Sequence, residues 1–207
     1  MTPVLSSAPS SLRQYWAAFR VLLVLTVVLG VVYPLAVMGV AQLGLRRQAN
    51  GSTVSSQGSV VGSSLIGQNF TDSDGKALPQ WFQSRPSAAG ASGYDPTLSG
   101  ASNLGPENDT LVQAINDRRA AAAALDGVPA ANVPPDALTA SGSGLDPDIS
   151  PAYAYEQVDR VAKATGLNST QVHQLVADHV RGRDLGFLGA PTVNVLELNL
   201  ALKQLVG

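Results

Sequence analysis

The sequence predicts an α+β protein: one N-terminal transmembrane helix, then a single soluble domain with short strands first and helices toward the C-terminus. Three observations lead to this prediction. Residues 21–45 form an uncharged apolar run. The next stretch is rich in glycine, serine and alanine and has turn chemistry without helical periodicity. From residue 106 onward, apolar side chains recur at helical spacing between capping residues.

The transmembrane helix is predicted from the length and flanks of the apolar run. At 1.5 Å per residue, a run of this length spans roughly 37 Å, enough to cross a hydrocarbon core of ~30 Å with some tilt. Tyr15, Trp16 and Phe19 precede it and suit the aromatic belt of a membrane interface. A cleaved signal peptide, with Gly39-Val40-Ala41 as the cleavage site, is the alternative. The run is longer than the 7–15 residues typical of a signal peptide, which favours the helix.

The distribution of charge predicts how the chain is oriented. The first 71 residues contain no Asp or Glu, and all fifteen acidic residues lie downstream. From Arg46 onward, eleven basic residues face those fifteen acids, a net charge of −4. We expect a bacterial plasma-membrane protein with residues 1–20 as a short cytoplasmic tail and residues 46–207 as an extracytoplasmic domain. The positive-inside bias of the flanking arginines is slight.

The composition excludes several kinds of chemistry. The chain has no cysteine, which excludes disulfides, thiol catalysis and cysteine metal sites. The acidic domain lacks the clustered Lys and Arg of a nucleic-acid-binding protein. His173 and His179 stand six residues apart, too far round a helix to share a metal ion. We therefore predict no metal site, no catalytic residue and no nucleic-acid partner.

The first half of the domain is predicted to hold only short elements. Residues 48–62 suit a loop or weak strands, and Ser64–Phe70 and Trp81–Phe82 are the candidate strands. Strong turn residues separate these two candidates. Residues 85–104 are too rich in small residues for a long regular element, so side-chain hydrogen bonds must hold them in place.

Four helices are predicted in the second half from capping residues. The first begins at Pro106 or Asn108, and the second begins with Ser150 as N-cap and ends before Gly166. Asn168 or Ser169 caps the third, and Asn194 with Glu197 forms a capping-box pattern before the last. The side chains expected to face inward are Leu111, Ile115 and Ala122, then Tyr155, Val158, Val161 and Ala162, then Val172, Leu175 and Val176, and finally Leu198, Leu202 and Leu205.

The loop TASGSGLDPDISP, residues 139–151, departs from the known phosphate-binding motifs. A dinucleotide fingerprint needs a third glycine where this loop has Pro147. The chain also lacks a complete P-loop around Gly75-Lys76 and has no G-x-S-x-G nucleophile elbow. A helix start is the better interpretation, although the free N–H groups at such a start could hold an anion.

Two further patterns suggest contacts with other molecules. Leu98–Ser102 weakly resembles the nucleotide-contacting signature of ABC ATPases, and Arg85 could pair with a phosphate or with a buried carboxylate. In the apolar run, Thr26, Gly30 and Pro34 recur every four residues and lie beside Tyr33. Small residues at this spacing let a second membrane helix approach closely. We predict that these four residues dock against a partner helix.

Several segments together resemble the C subunits of the Kdp-type potassium-transporting ATPase. The matching segments are GVVYPL from Gly30, QANGS from Gln48, SLIGQNF from Ser64, WFQSRPSA from Trp81, SGASNLGPEN from Ser99, LTASGSGLDPDISP from Leu138, RVAKATGL from Arg160 and PTVNVLELNLAL from Pro191. Asp148 and Ala101 depart from the pattern, where His and Gly are usual.

The resemblance implies an accessory subunit of a high-affinity, ATP-driven potassium uptake complex. Its partners would be a channel-like potassium-binding subunit, a P-type ATPase subunit and a small helical subunit. The chain lacks the DKTGT phosphorylation motif, so hydrolysis would belong to a partner, and K⁺ would be transported without binding here. An assembly and stabilising role follows most directly from the residues. A stand-alone single-span surface protein or binding module is the alternative, and a hydrolase ranks third.

The resemblance also implies a catalytic chaperone, which raises the nucleotide affinity of the ATPase subunit in a ternary complex with ATP. The candidate nucleotide contacts are Gln68, Arg85, Ser99, Gly100, Ser102, Asn103, Ser141 and Ser143.

Overall fold

The computed structural model describes residues 10–207, which form two compact units. The first ends at Ser52, and the second is Thr53–Gly207. The predicted α+β class is confirmed by an apolar N-terminal helix followed by short strands and helices. Residues 1–9 of the predicted tail lie outside the described residues.

The first unit is a nearly continuous helix. It comprises α1 (Ser10–Val27), a π turn (Val28–Val32), α2 (Tyr33–Gly44) and a short α3 (Arg46–Ala49). The segment Ser11–Gly44 has 34 residues and is long and apolar enough to cross a membrane, and none of its most apolar part is buried inside the chain. The helix therefore begins about ten residues before the predicted start at residue 21. The assignment of residues 1–20, 21–45 and 46–207 to opposite sides of a membrane stays a prediction.

The second unit contains two small antiparallel sheets. The hairpin pairs β1 (Thr53–Ser56) with β2 (Ser59–Ser63). The other sheet has the order β3-β5-β4, from β3 (Asp148–Ile149), β4 (Val180–Arg181) and β5 (Thr192–Asn194). The first pair lies within the stretch predicted as a loop or weak strands.

The strands predicted at Ser64–Phe70 and Trp81–Phe82 are wrong. Both segments are extended or bent, and neither forms a strand. Phe82 is fully buried and Phe70 and Trp81 pack against the core. The aromatic residues that suggested a strand are therefore explained by burial without strand pairing.

The helices of the second unit begin near the predicted caps. They are α4 (Asp109–Asp126), α5 (Pro151–Glu156), α6 (Val158–Thr165), α7 (Ser169–His179) and α8 (Val195–Val206), with 3₁₀ turns at Ala130–Asn132 and Pro135–Ala137. The side chains of Asn108, Ser150, Asn168 and Asn194 each accept a hydrogen bond from the first turn of their helix. The single helix predicted from Ser150 to Gly166 is divided at Gln157 into α5 and α6.

The core lies where α5, α6, α7 and α8 meet β5. Leu198 and Leu202 are fully buried, as predicted, and the predicted inward positions of α6 and α7 are buried as well. Leu205 is 50% exposed, so its predicted inward position is wrong. The last turn of α8 extends beyond the core, and helical spacing alone does not show where a core ends.

Buried polar side chains anchor the irregular segment before the loop 85–104. The amide of Asn199 mimics a neighbouring strand: its Oδ1 accepts from the Phe82 N–H and its Nδ2 donates to the Phe82 carbonyl, both at 2.9 Å. Gln157 holds the next residue similarly, because its Oε1 accepts from the Gln83 N–H at 2.6 Å and its Nε2 donates to the Gln83 carbonyl at 3.3 Å. One side chain on α8 and one at the junction of α5 and α6 thus satisfy a buried backbone that has no strand partner.

Arg160 completes this anchor from α6. Its guanidinium donates to the carbonyls of Pro79 (2.5 Å) and Trp81 (2.9 Å) and to Oε1 of Gln157 (2.6 Å). Its Nε donates to Asp126 at 2.6 Å, and both side chains are almost fully buried. The ion pair therefore joins α4, α6 and the irregular segment.

Replacing the Asn199 side chain should destabilise the domain strongly. Asn199→Ala leaves the buried N–H and carbonyl of Phe82 without partners, and we expect a loss of about 2–4 kcal/mol in unfolding free energy. Chemical unfolding of the full chain in detergent, followed by tryptophan fluorescence, measures it. The control is Asn116→Ala, an exposed residue whose Oδ1 accepts from Arg119. Equal stability of the two variants would contradict the anchoring role.

Candidate functional site

Two loops of the predicted nucleotide-contact set come together. We call residues 85–104 and 139–146 the loop pair. The Gly100 N–H and the Ser99 hydroxyl both donate to the Ser143 carbonyl, at 2.8 and 3.1 Å. The Ser87 hydroxyl donates to the Gly144 carbonyl at 2.6 Å. These bonds hold a stretch without regular secondary structure, as the composition of residues 85–104 required.

Arg85 lies at one end of the loop pair and is bound to a carboxylate. Its Nη1 donates to Asp146 at 3.0 Å, and its Nη2 lies 3.4 Å from the Thr139 carbonyl. The Tyr94 hydroxyl donates to the Arg85 carbonyl at 2.8 Å, and burial raises the Tyr94 pKa to about 12. Of the two partners considered for Arg85, the structure shows the carboxylate.

Glycine is required at position 144. Its φ is +67°, and a Cβ there would lie 2.6 Å from the Gly100 carbonyl oxygen and 2.9 Å from the Ala89 nitrogen. Both contacts are to backbone, which cannot rotate away as a side chain can. This close approach explains one glycine of the glycine–serine loop without any ligand.

The structure brings five of the eight candidate nucleotide contacts into the joined part of the loop pair. Besides Arg85, Ser99, Gly100 and Ser143, it includes Ser141, whose hydroxyl lies 3.3 Å from that of Ser143. Gln68 is connected indirectly, because the neighbouring Gly67 N–H donates to the Leu145 carbonyl at 2.9 Å. Ser102 and Asn103 are exposed near the end of the first loop.

The loop pair by itself does not fit a triphosphate. Its residues carry one arginine and two aspartates, and the arginine is already paired with Asp146. Hydrogen bonds from the side chain and backbone of Thr97 lower the pKa of Asp95, which therefore adds negative charge. A phosphate chain needs unpaired cations or free N–H groups. What the surface offers is exposed serine hydroxyls and a slight negative charge.

An open cleft of about 900 Å³ adjoins the loop pair. Its walls are residues 67–69, the turn 71–75 and residues 91–94. Asp72 and Asp74 lie in this turn, and the Asp72 carboxylate accepts from the Asp74 and Lys76 N–H groups at 3.0 and 2.9 Å. The sequence identified only Gln68 of this lining, since glycines and turn residues show no pattern that predicts a cleft.

Two acids, the half-buried Glu156 and Asp126 with its buried side chain, were missed by sequence reasoning. Burial, followed by the charges of Asp126 and Asp136, raises the pKa of Glu156 to about 7. Burial also raises the pKa of Asp126, more than Arg160 lowers it. One oxygen of each, Oε1 of Glu156 and Oδ2 of Asp126, is buried without a hydrogen-bond partner. These acids come from the ends of α5 and α4, so no local motif could reveal that they lie close together.

The histidines have local contacts. The His173 ring stacks on Tyr155 with centroids 4.6 Å apart, and the side chain is exposed. Nδ1 of His179 lies 2.8 Å from the Leu175 carbonyl oxygen. Each histidine ring thus contacts a nearby residue of α5 or α7.

The π turn changes the predicted docking face of the membrane helix. Pro34 has no N–H, and in a regular helix its ring would clash with the Gly30 carbonyl. The π turn over Val28–Val32 lies just before Pro34, and the Tyr33 N–H donates to the Val28 carbonyl, five residues back. In an unbroken helix, Thr26 and Pro34 would be about 80° apart. The extra residue of the turn removes roughly 100° of rotation and leaves them about 20° apart.

Three of the predicted docking residues therefore remain together. Thr26 and Pro34 lie on nearly one line, and Gly30 sits within the π turn between them. Tyr33 is adjacent to Pro34 but about 100° round the axis. Among residues 10–207, a Cβ at Gly30 would meet nothing within 4 Å. Whether a partner helix covers this face stays a prediction.

Comparison with known proteins gives a consistent result. The family model KdpC, described as K⁺-transporting ATPase, c chain, matches residues 15–204. A potassium-transporting ATPase KdpC subunit of Kineococcus radiotolerans is 59% identical over 193 residues, 93% of this chain and 94% of that one. Proteins of the same name from Streptomyces avermitilis and Mycobacterium tuberculosis are each 49% identical, covering 97% and 93% of this chain and 98% and 99% of theirs.

A matched pair of glycine substitutions tests the packing of the loop pair. Gly144→Ala introduces a side chain at positive φ against two backbone atoms, and we expect it to lower the unfolding free energy by about 1–3 kcal/mol. Gly142→Ala, two residues away, has nothing within 4 Å of its new Cβ and should change it by less than about 0.5 kcal/mol. Urea unfolding of both variants measures the difference. Similar values for the two would show that the loops do not pack this closely.

Proposed function

This chain belongs to the KdpC family, the c chains of K⁺-transporting ATPases, and from that premise we propose how it serves the complex. It is a subunit of a K⁺-transporting ATPase complex. Our proposal is that it is an accessory subunit that assembles and stabilises a high-affinity, ATP-driven potassium uptake complex. K⁺ is then the cargo of the complex and is not bound by this chain.

The uncovered membrane helix is the observation that carries this proposal. In the described part of the chain, its most apolar part is not buried, and Thr26, Gly30 and Pro34 form a face of small or compact side chains. Such a face lets the backbone of a second helix approach closely. Contact with lipid tails alone does not require small residues in this arrangement. The π turn at the same position supports a role in packing, because π turns are frequent at functional sites.

The proposed partners follow from the family resemblance. The membrane helix docks on the channel-like potassium-binding subunit, and the complex also includes a P-type ATPase subunit and a small helical subunit. With the N-terminus in the cytoplasm, the domain that starts at Thr53 lies outside the cell. Its excess of acidic residues would then favour K⁺ near the outer mouth of the channel.

We also propose a second role, that of a catalytic chaperone acting on ATP. The convergence of Ser99, Gly100, Ser141 and Ser143 at one exposed surface supports it. Because the loop pair does not fit a triphosphate, the cations must come from the ATPase subunit, and this chain would contribute hydroxyl contacts in a ternary complex. An extracytoplasmic domain would meet little ATP, so this role and the proposed orientation compete.

Enlarging Gly30 should weaken the complex. We expect Gly30→Leu to reduce the co-purified ATPase and channel-like subunits roughly tenfold, equivalent to ~1.4 kcal/mol, because the new side chain holds the helices apart. The measurement is a tagged pull-down in mild detergent from potassium-starved cells, followed by an assay of K⁺-stimulated ATPase activity. Ala36→Leu, at least about 120° away round the same helix, is the control. Recovery of the wild-type chain alone would favour the stand-alone surface protein instead.

A negative charge on the loop pair tests the contact with ATP. In the purified complex, Ser99→Asp should raise the KM for ATP roughly fivefold with kcat unchanged, because a carboxylate a few ångströms from a phosphate repels it by about 1 kcal/mol even in water. Ser73→Asp, an exposed serine of the neighbouring turn, is the control. An unchanged KM in Ser99→Asp would refute the chaperone role of the loop pair and leave the assembly role intact.

A further inference from the structure

The loop between β4 and β5 exposes three large apolar side chains. Leu185 is 83% exposed, Phe187 68% and Leu188 49%. We call these three residues the apolar knob. Single exposed apolar residues are ordinary on protein surfaces, whereas three within four positions concentrate exposed apolar side chains in one loop.

Backbone hydrogen bonds make the knob a small hairpin. The Asp184 N–H donates to the Leu188 carbonyl at 3.0 Å, and the Leu188 N–H donates back at 2.9 Å. Across the tip, the Gly186 N–H donates to the Arg183 carbonyl at 3.0 Å. The apolar side chains are therefore presented by a defined backbone.

Leu185 is held in a strained conformation. Its φ is +52°, a left-handed value that leucine adopts rarely and at a cost. Asn or Gly would occupy this position more easily. Since Leu185 is almost fully exposed, packing within the chain does not explain a leucine here.

The base of the knob is fixed to the core. β4 pairs with β5, with Val180 opposite Val193, and Val193 is fully buried. Arg181 also forms an ion pair with Glu197 on α8. The knob thus projects from the central sheet on a supported stem.

We propose that the apolar knob docks into an apolar pocket on another subunit of the same K⁺-transporting ATPase. This inference rests on the proposed function, because it assigns a contact surface to the subunit role. Rigid apolar anchors inserted into a pocket supply much of the binding energy at protein interfaces. Preformed backbone geometry also lowers the entropy lost on binding.

The charges favour a protein partner over a lipid surface. Within the knob loop, Arg183 and Asp184 cancel, and Arg181 is neutralised by Glu197. From Arg46 onward the chain carries eleven basic and fifteen acidic residues, so an anionic bilayer would repel it. A fluid bilayer also makes no demand for the fixed shape that strains Leu185. A neutral apolar pocket on a protein would not repel the acidic chain, and it has a fixed shape that the knob could match.

The first test uses the absence of cysteine from the chain. Phe187→Cys creates a single labelling site for a polarity-sensitive fluorophore, and Val112→Cys on α4, with Val112 43% exposed, is the control. In the purified complex, the label at position 187 should be shielded from aqueous quencher at least about fivefold relative to the chain alone in detergent, as expected for a buried interface position. The label at position 112 should stay accessible in both samples.

The other outcomes separate the alternatives. Shielding of position 187 with the chain alone in phosphatidylcholine vesicles would assign the knob to lipid, and concentration-dependent shielding in detergent would assign it to a second copy. Either result overturns the proposal. A label that stays accessible in an intact complex also overturns it and leaves the subunit role standing. If the wild-type chain captures no ATPase subunit, both proposals fall together.

A second variant separates docking from folding. Leu185→Asn removes apolar surface and places at positive φ a residue that tolerates it, so the unfolding midpoint should be unchanged or higher. The amount of this chain retained on the complex after dilution should nevertheless fall roughly tenfold, as for loss of an interface anchor. Val112→Ser is the control for loss of an exposed apolar side chain. Retention equal to that of the wild-type chain would contradict docking.

Discussion

The second unit depends on buried polar side chains that supply the hydrogen bonds a neighbouring strand would otherwise supply. Asn199 and Gln157 bond both backbone groups of Phe82 and Gln83, and Arg160 binds the carbonyls of Pro79 and Trp81. Without these bonds, burying Phe82 would leave its peptide groups unsatisfied in the core. The irregular segment around Phe82 can therefore pack against the helices without becoming part of a sheet.

This anchor also positions the candidate site. Arg85 follows the anchored residues directly, and the Ser84 hydroxyl donates to the Gln68 carbonyl at 2.8 Å, which ties the segment to the wall of the cleft. Gly144 then allows the two loops to approach at backbone distance. Separate hydrogen bonds along the backbone thus link the anchored segment first to the wall of the cleft and then to the loop pair.

The sequence predicted features that depend on local chemistry and missed those that depend on distant contacts. Caps such as Asn108 and Asn168 were predictable, because a side chain that satisfies the first turn is local. The irregular conformation of Trp81–Phe82 was not predictable from the sequence. Aromatic residues indicate burial, but they do not indicate whether the backbone pairs with a strand or with an amide side chain such as that of Asn199. The sequence left two partners open for Arg85, a phosphate or a carboxylate. The carboxylate it binds, Asp146, is 61 residues away, so no local pattern could identify it. The docking face was predicted only approximately. Counting every fourth residue assumes a regular helix, and Pro34 interrupts that regularity.

The bond between Phe82 and Asn199 also orders events during synthesis. Its partners are 117 residues apart, and α8 is the last helix of the chain. The irregular segment emerges from the ribosome long before the amide that anchors it, and contacts of such long range form slowly. The anchor of the irregular segment, on which the loop pair depends, can therefore form only after Asn199 on α8 has been synthesised. A truncation before Asn199 would then leave the Phe82 N–H and carbonyl without the amide that binds them, however completely the preceding chain is made.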